Sequence, residues 1–500
     1  MISILKHMFA RDVTRRSFRL LRGNASTRLA SATPNWDEFG SSEKRFREDQ
    51  VPNQSDVVVI GGGLIGWSVA FWLRWNTKFG VTVVERDPTY ARSASVLGLG
   101  SIRQQFSEPE NIQMSLFSSE FLRNIKDYLS VLDDVQLDIE FNPQGCLLLS
   151  DESQAETMQR NYQLQTELGA KVELLTKQAL ASRWPWLNVE DVELGCYGFE
   201  NEGWFDPWLL LKALRAKCHT LGVNYVVGEV VDFELSEQFT EVKFPDMPKR
   251  PPVYGRLPRK AVIALPDRST TSITFNLVVN AAGPWAADVA RLAEMRTSGE
   301  VTVPLPVEPR LRHVYVVRPR RHPPPRQSPD PNSELDPQNL QPGLDAPFLI
   351  DPKRLFMERR GLSGEFIVYS DNPQWDSVQQ SSTSETAQKL DVDYTFFKRE
   401  LSKQLGHRIP SLASAEITSA WTAICDYNTV DQNLIIGHHP FYVNMFFCNG
   451  SSGHGAQHAI AIGRAVSELI IYGHYKSIDL TRFSFERLCL NEPIEETNAF

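Results

Sequence analysis

Gly61, Gly63 and Gly66 stand in the order G-x-G-x-x-G directly after the β-branched run ending at Ile60, and Glu85 follows Gly66 by 19 residues. Glycines so spaced handle phosphate through the backbone. Gly61 permits a tight turn, Gly63 lets the main chain approach a pyrophosphate, and Gly66 lets a helix sit close on the strand. Gly62 completes the loop, and Leu64 and Ile65 open a helix whose N-terminal N–H groups and partial positive charge face the phosphates. Glu85 ends the next strand, Val81–Val84, at the spacing where an acid accepts hydrogen bonds from ribose hydroxyls. The whole unit predicts a bound dinucleotide. A second glycine loop, Asn449-Gly450-Ser451-Ser452-Gly453-His454-Gly455, opens another apolar helical pattern about 390 residues later. One pyrophosphate does not need two helix N-termini. The second suits a flavin, whose reduced ring carries negative charge at N1 and the C2 carbonyl oxygen.

The elements around these loops define the class. Val57 to Leu73 is 17 residues without a charge, but its glycines sit where the phosphate loop needs them and Arg74 closes it. It reads as a buried strand and helix, so no transmembrane segment is expected. The segment 93–100 is small and flexible enough to lie on a cofactor. Ile112, Leu116, Phe117, Phe121, Ile125 and Leu129 recur at helical spacing, predicting one long helix. Further helices are expected over 152–168, from Pro207 to Leu221 with Gly222 beyond its end, and over 385–405. Strand patterns cover 145–149, 223–227, 274–281, 348–350, 365–369, 434–437 and 443–448. Residues 319–347 hold nine prolines and read as a solvated insertion.

Five hundred residues are too many for one core, so two or three lobes are expected. The net charge of −9 hides an asymmetry. Residues 1–30 carry seven basic side chains against one acid, leaving a remainder at −15. So acidic a body argues against nucleic acid as partner. The leader is Arg-rich, acid-poor and interspersed with Ser and Thr, the composition of a mitochondrial transit peptide over about residues 1–35. A basic disordered arm is the alternative reading. Six scattered cysteines form no C-x-x-C pair, which suits a reducing matrix. His438, His439 and His458 have no ligand-spaced partners, and no metal site is expected.

Taken together, Gly61–Gly66 with Glu85, Asn280-Ala281-Ala282-Gly283-Pro284-Trp285, Asp431-x-x-Leu434-Ile435-Ile436-Gly437 and Ser452–Gly455 resemble the D-amino-acid oxidase and sarcosine oxidase superfamily. The resemblance implies an α/β (α+β) fold: an FAD-binding Rossmann-like lobe interleaved with an antiparallel β-sheet substrate lobe. The FAD lobe would take residues 52–135, 205–300 and 421–475, the substrate lobe 136–204 and 301–420, and a tail 476–500. It also implies roles by position. Arg86 and Val230 would lie at the adenine, Ser93 and Ser95 near the phosphates or ring, and Gly283 and Trp285 beside the cofactor. Gly450, Gly453, His454 and Gly455 would serve the flavin. Arg359 sits near the place of a carboxylate-binding arginine over the flavin, with an exposed strand-end arginine as the alternative. His454 serves loop geometry, or else acts as a base.

The implied reaction is dehydrogenation of a C–N bond in a small-molecule amine or amino acid, with non-covalent FAD. Cys425 lies one residue out of register with the cysteine that carries covalent flavin in sarcosine oxidases. Gln457 stands where some relatives place a lysine. Gly203–Pro207 and Cys425–Asn433 resemble most a mitochondrial branch linked to assembly of respiratory complex I. That implies a matrix location, or the matrix face of the inner membrane with peripheral contact only, and complex I assembly intermediates as partners. The alternative is a non-catalytic assembly factor with structural FAD. A nicotinamide-dependent dehydrogenase would leave the second glycine loop unexplained.

Overall fold

The computed structural model describes residues 51–131, 137–238, 255–295, 303–320, 340–371, 390–440 and 442–497. The leader, the centre of the Pro-rich insertion and the first part of the expected helix 385–405 lie outside these residues. Two large sheets carry the fold. The first runs in spatial order β17 (Ile435–His439), β18 (Tyr442–Asn449), β11 (Thr270–Asn280), β1 (Gln54–Ile60), β2 (Val81–Glu85) and β8 (Asn224–Val227). From β11, β10 (Gly255–Ala264) and then β9 (Glu229–Gln238) extend as antiparallel neighbours. The contacts β18–β11, β11–β1, β1–β2 and β2–β8 are all parallel. Val57, Val58 and Val59 have no exposed surface, as the centre of a sheet covered on both faces requires.

The second sheet runs β16 (Glu416–Asn428), β12 (Val307–Arg318), β15 (Glu365–Ser370), β14 (Leu355–Arg360), β13 (Phe348–Ile350), β4 (Cys146–Ser150), β6 (Leu194–Gly198) and β5 (Val172–Thr176). It is antiparallel except for β13 against β4. A two-residue pair, β3 (Ser101–Ile102) and β7 (Gly203–Trp204), stands apart from both. β16 pairs with β12 through Asn428, so the lobe boundary expected at 421 falls inside a second-sheet strand.

Helix α1 (Leu64–Asn76) is apolar on nearly every side because it is sandwiched between the first sheet and helix α4 (Gly455–Tyr472). The two cross where Gly463 meets Ser68, and Trp72 Nε1 donates to Ile460 O at 3.0 Å. The long helix expected over 112–129 is two pieces, α2 (Pro109–Arg123) and a short turn Ile125–Leu129. Asn124, at φ −108°, ψ 27°, breaks it. Helix α3 (Pro207–Thr220) starts on Asp206, whose carboxylate accepts from Trp208 N at 2.7 Å and Leu209 N at 3.1 Å. Within the described part of the expected helix 385–405, residues 390–393 are not helical and a helix starts at Tyr394, where Asp393 accepts from Thr395 N and Phe396 N and caps it; it runs on to Arg408.

Candidate functional site

The parallel strands of the first sheet all deliver their C-terminal ends to one edge. The loops after β1, β2, β8, β11 and β18 line a single cavity of about 1040 Å³, where ligands of open α/β sheets are expected. The second sheet supplies the opposite wall through Arg312 and Val314 of β12, Tyr369 of β15 and Ala423–Asp426 of β16.

At one end lies the first glycine loop. Gly61 takes φ +100°, and a Cβ there would overlap the Ala281 carbonyl. A Cβ on Gly66 would overlap Gly61 O, so α1 packs on the strand only with glycine there. Gly63 is the N-cap of α1 and contributes no side-chain hydrogen bond. Ser95 Oγ, 3.0 Å from Leu64 N, accepts at the helix N-terminus where a phosphate oxygen would. Ser93 caps the turn Ala94–Leu97 that carries Ser95. Glu85 accepts from Gly62 N at 2.8 Å and Asp87 N at 2.9 Å. Burial raises its carboxyl pKa, and those two bonds pull it back. Arg86 stacks on Trp285 with 3.9 Å to the ring centroid, and both line the cavity with Val230 and Gly283.

At the other end lies α4, also without a side-chain cap, and Gly453, Gly455 and Ala456 face the cavity from its start. Gly453 takes φ +102° with the Arg312 guanidinium against it; Arg312 Nη2 donates to Ser452 O at 3.2 Å. Asp426, buried at the end of β16, holds this loop by accepting from Ser451 N at 2.9 Å and Ser451 Oγ at 2.5 Å. Burial raises its pKa, opposed by the Ser451 bonds. Two helix N-termini whose own N-cap residues make no side-chain bond, at opposite ends of one cavity, fit a flavin dinucleotide: pyrophosphate on α1, flavin pyrimidine on α4.

Of the expected site residues, Gly61, Gly63, Leu64, Ile65, Glu85, Arg86, Ser93, Ser95, Val230, Gly283, Trp285, Gly453 and Gly455 come together on this wall. Four do not. Gly62 is turned to Glu85, and Gly66 packs beneath the loop. Gly450, at φ +73°, makes the turn behind, where a Cβ would lie 3.0 Å from Asn428 Cβ. Arg359 points away from the cavity. Side chains alternate along β14, and Arg359 shares the face of Leu355 and Met357, opposite that of Phe356 and Glu358. Its guanidinium lies 5.8 Å from the Phe366 centroid and donates to Pro342 O. His454 lines a smaller neighbouring cavity, edge-on to Phe106 and 3.2 Å from Gln457 Nε2. Burial, with Arg103 and other cations nearby, lowers its pKa well below the usual imidazole range. The guanidinium at the flavin end is Arg312. Its signal in the sequence is the alternation Arg310-x-Arg312-x-Val314-x-Val316, a strand with a charged half-face.

Residues 56–469 match the FAD-dependent oxidoreductase family of the D-amino-acid oxidase type, and the chain belongs to that family. FAD is its cofactor. Among relatives, FAD-dependent oxidoreductase domain-containing protein 1 of Xenopus laevis is 42% identical over 457 residues, covering 90% of this chain and 86% of its own. The Drosophila melanogaster homolog is 38% identical over 467 residues, covering 92% and 84%. Among solved structures, L-proline dehydrogenase from P. horikoshii superposes with a TM-score of 0.66 at 22% identity, over 89% of this chain and all of that one. Glycine oxidase from Geobacillus kaustophilus gives 0.61 at 20% identity, over 87% and 98%. At these identities the likeness is one of fold.

Proposed function

We propose that this FAD-dependent oxidoreductase dehydrogenates the C–N bond of an amino acid or N-methylated amino acid in the mitochondrial matrix. The observation that carries the reading is Arg312, set beside Gly453 at the flavin end of the cavity and flanked by Val314, Tyr369 and Ala423. FAD supplies the hydride acceptor when bound. Arg312 would hold a substrate carboxylate in two parallel hydrogen bonds, which fixes orientation. Val314 and Ala423 exclude water from the reacting carbon. The N-terminus of α4 favours negative charge on the reduced ring. The imine released is hydrolysed by water. The matrix location is supported by the Arg-rich leader, and the acidic body makes a nucleic-acid partner unfavourable. Among the described residues no helix is long and apolar enough to cross a membrane.

Gln457 favours a second reading. Its Oε1 accepts from Arg103 N at 3.0 Å and its amide meets His454, so it serves packing where some relatives place a substrate-gripping lysine. On that reading the FAD is structural and the protein supports complex I assembly as a scaffold, as the resemblance in 203–207 and 425–433 implies. Anaerobic mixing of the holoprotein with N-methyl and D-amino acids, alongside the same amines lacking the carboxylate, separates the two. Oxidation predicts that carboxylated amines bleach the flavin absorbance and decarboxylated ones do not. Absence of bleaching throughout, with complex I lost from cells when Gly63 is altered, would overturn it in favour of the scaffold.

A further inference from the structure

The C-terminal segment reaches the glycine loop before α4 through a buried chain of hydrogen bonds. After a short helix, Glu486–Leu490, Asn491 takes φ +57° and ends it in a left-handed turn. Of residues 491–497 only Ile494 is buried, in the core that α1 and α4 share. The segment converges on Asp431, which is itself buried. Asp431 Oδ2 accepts from Arg487 Nε at 2.8 Å and from Ile494 N at 3.1 Å. Its Oδ1 accepts from Arg487 Nη2 at 3.1 Å and from Asn428 Nδ2 at 2.7 Å. Asn433 Nδ2 donates to Ile494 O at 2.8 Å, and Glu496 accepts from Ser107 N and Asn111 Nδ2, each at 2.6 Å, at the start of α2.

From Asn428 the chain runs inward. Asn428 has no exposed surface, and its backbone N–H donates to Ser452 Oγ at 3.0 Å. A Cβ on Gly450 would lie 3.0 Å from Asn428 Cβ, so the loop is seated directly on this residue. Ser452 takes φ +50°, a conformation that persists where the surroundings over-determine it. Those surroundings are Asn428, Asp426 O, which accepts from Ser452 N at 2.9 Å, and Arg312, which donates to Ser452 O at 3.2 Å. A segment that left Asp431 would strip donors from a buried carboxylate, which must then find water or pull on Asn428. The other end of the cavity takes its shape elsewhere: Gly61 packs on Ala281 O, and the loop N–H groups meet Glu85 and Ser95.

We propose that the segment 486–497 is part of the FAD site. Arg487 and Ile494, acting through Asp431 and Asn428, are positioning residues for the loop that receives the flavin, and docking of the segment and binding of the flavin half of FAD support each other. The coupling is reciprocal: bound FAD holds the segment down, and whatever draws the segment away weakens FAD. It applies to a catalytic and to a structural FAD alike.

ADP carries the adenosine and pyrophosphate of FAD without the flavin, so it separates the two ends of the cavity. Full-length protein stripped of flavin is titrated with FAD and with ADP, beside Arg487→Met and Ile494→Pro, the latter lacking only the N–H that reaches Asp431 while keeping an apolar side chain. Each substitution weakens FAD about tenfold, the worth of one hydrogen bond in affinity, and leaves ADP affinity unchanged. On the unaltered chain, hydrogen exchange at the Ile494 and Thr497 amides is followed with saturating FAD or saturating ADP. FAD slows both about tenfold and ADP does not. This measurement decides the matter where a variant fails to fold. Wild-type FAD affinity in both variants, equal losses of FAD and ADP, or tail amides that FAD leaves unprotected or protects no better than ADP would overturn the proposal.

Discussion

Glu202 has no exposed surface, and its carboxylate accepts from Gln104 N at 2.7 Å and Gln105 Nε2 at 2.8 Å. It therefore ties the segment after β3 to the Cys146 and Gly198 end of the second sheet. Burial raises its pKa from an ordinary 4.5 to about 7, against the pull of those two bonds and Arg103. The folded state thus binds a proton more tightly than the unfolded chain. Stability is highest below the unfolded pKa and falls as pH rises from 4.5 through about 7, by roughly 3 kcal/mol at most. Urea unfolding across that range should show this decline, and Glu202→Gln should flatten it. An unchanged slope in the variant would mean that other groups carry the dependence. The flavin end of the site also turns on single residues. Arg359 and Arg360 are adjacent in β14, yet one faces the hydrophobic layer with Met357 and the other sits over the Trp204 ring at 4.7 Å. Strand alternation decides this, and position in a motif cannot.

At the scale of elements, the site depends on how α1 and α4 cross, because their N-termini form its two ends. The crossing is close only because residue 463 is glycine: a Cβ there would lie 2.6 Å from Ser68 Cβ. Gly463→Val should push α4 outward, lower stability by about 1–3 kcal/mol and weaken FAD binding, measured by urea unfolding and flavin titration. Unaltered FAD affinity in a destabilised variant would show that the crossing sets packing alone. The β1–α1–β2 unit was legible in the sequence because its signals are local: a buried run, three spaced glycines and an acid at fixed distance. The loop before α4 was legible for the same reason. β12 was not read, since Val307–Arg318 mixes charged and apolar residues and follows no turn motif. Arg312 is placed by 12 residues of pairing with β16, from Val307 opposite Asn428 to Arg318 opposite Glu416. Pairing between segments about 100 residues apart leaves no mark in either segment alone. The break at Asn124 was missed because the apolar spacing continues through it.

For the whole molecule, the loops of β1 and β18 lie almost 400 residues apart in sequence and meet at one cavity. A cofactor spanning that cavity binds only the folded chain, so FAD adds stability by mass action, about 2.7 kcal/mol at 100 times its dissociation constant. Both sheets contribute walls, which makes cofactor content a readout of the global fold as well as of the glycine loop. The central claim is that FAD is held non-covalently with its pyrophosphate at Gly61–Gly66. The most direct measurement is the flavin released on acid precipitation from equal amounts of folded wild-type protein and Gly63→Trp. A Cβ at position 63 already stands 3.0 Å from Ser95 Oγ, so an indole fills the phosphate seat. The account predicts stoichiometric FAD in the wild-type supernatant and almost none from the variant. Stoichiometric FAD from Gly63→Trp, or wild-type flavin that stays with the precipitated chain at Cys425, would contradict it.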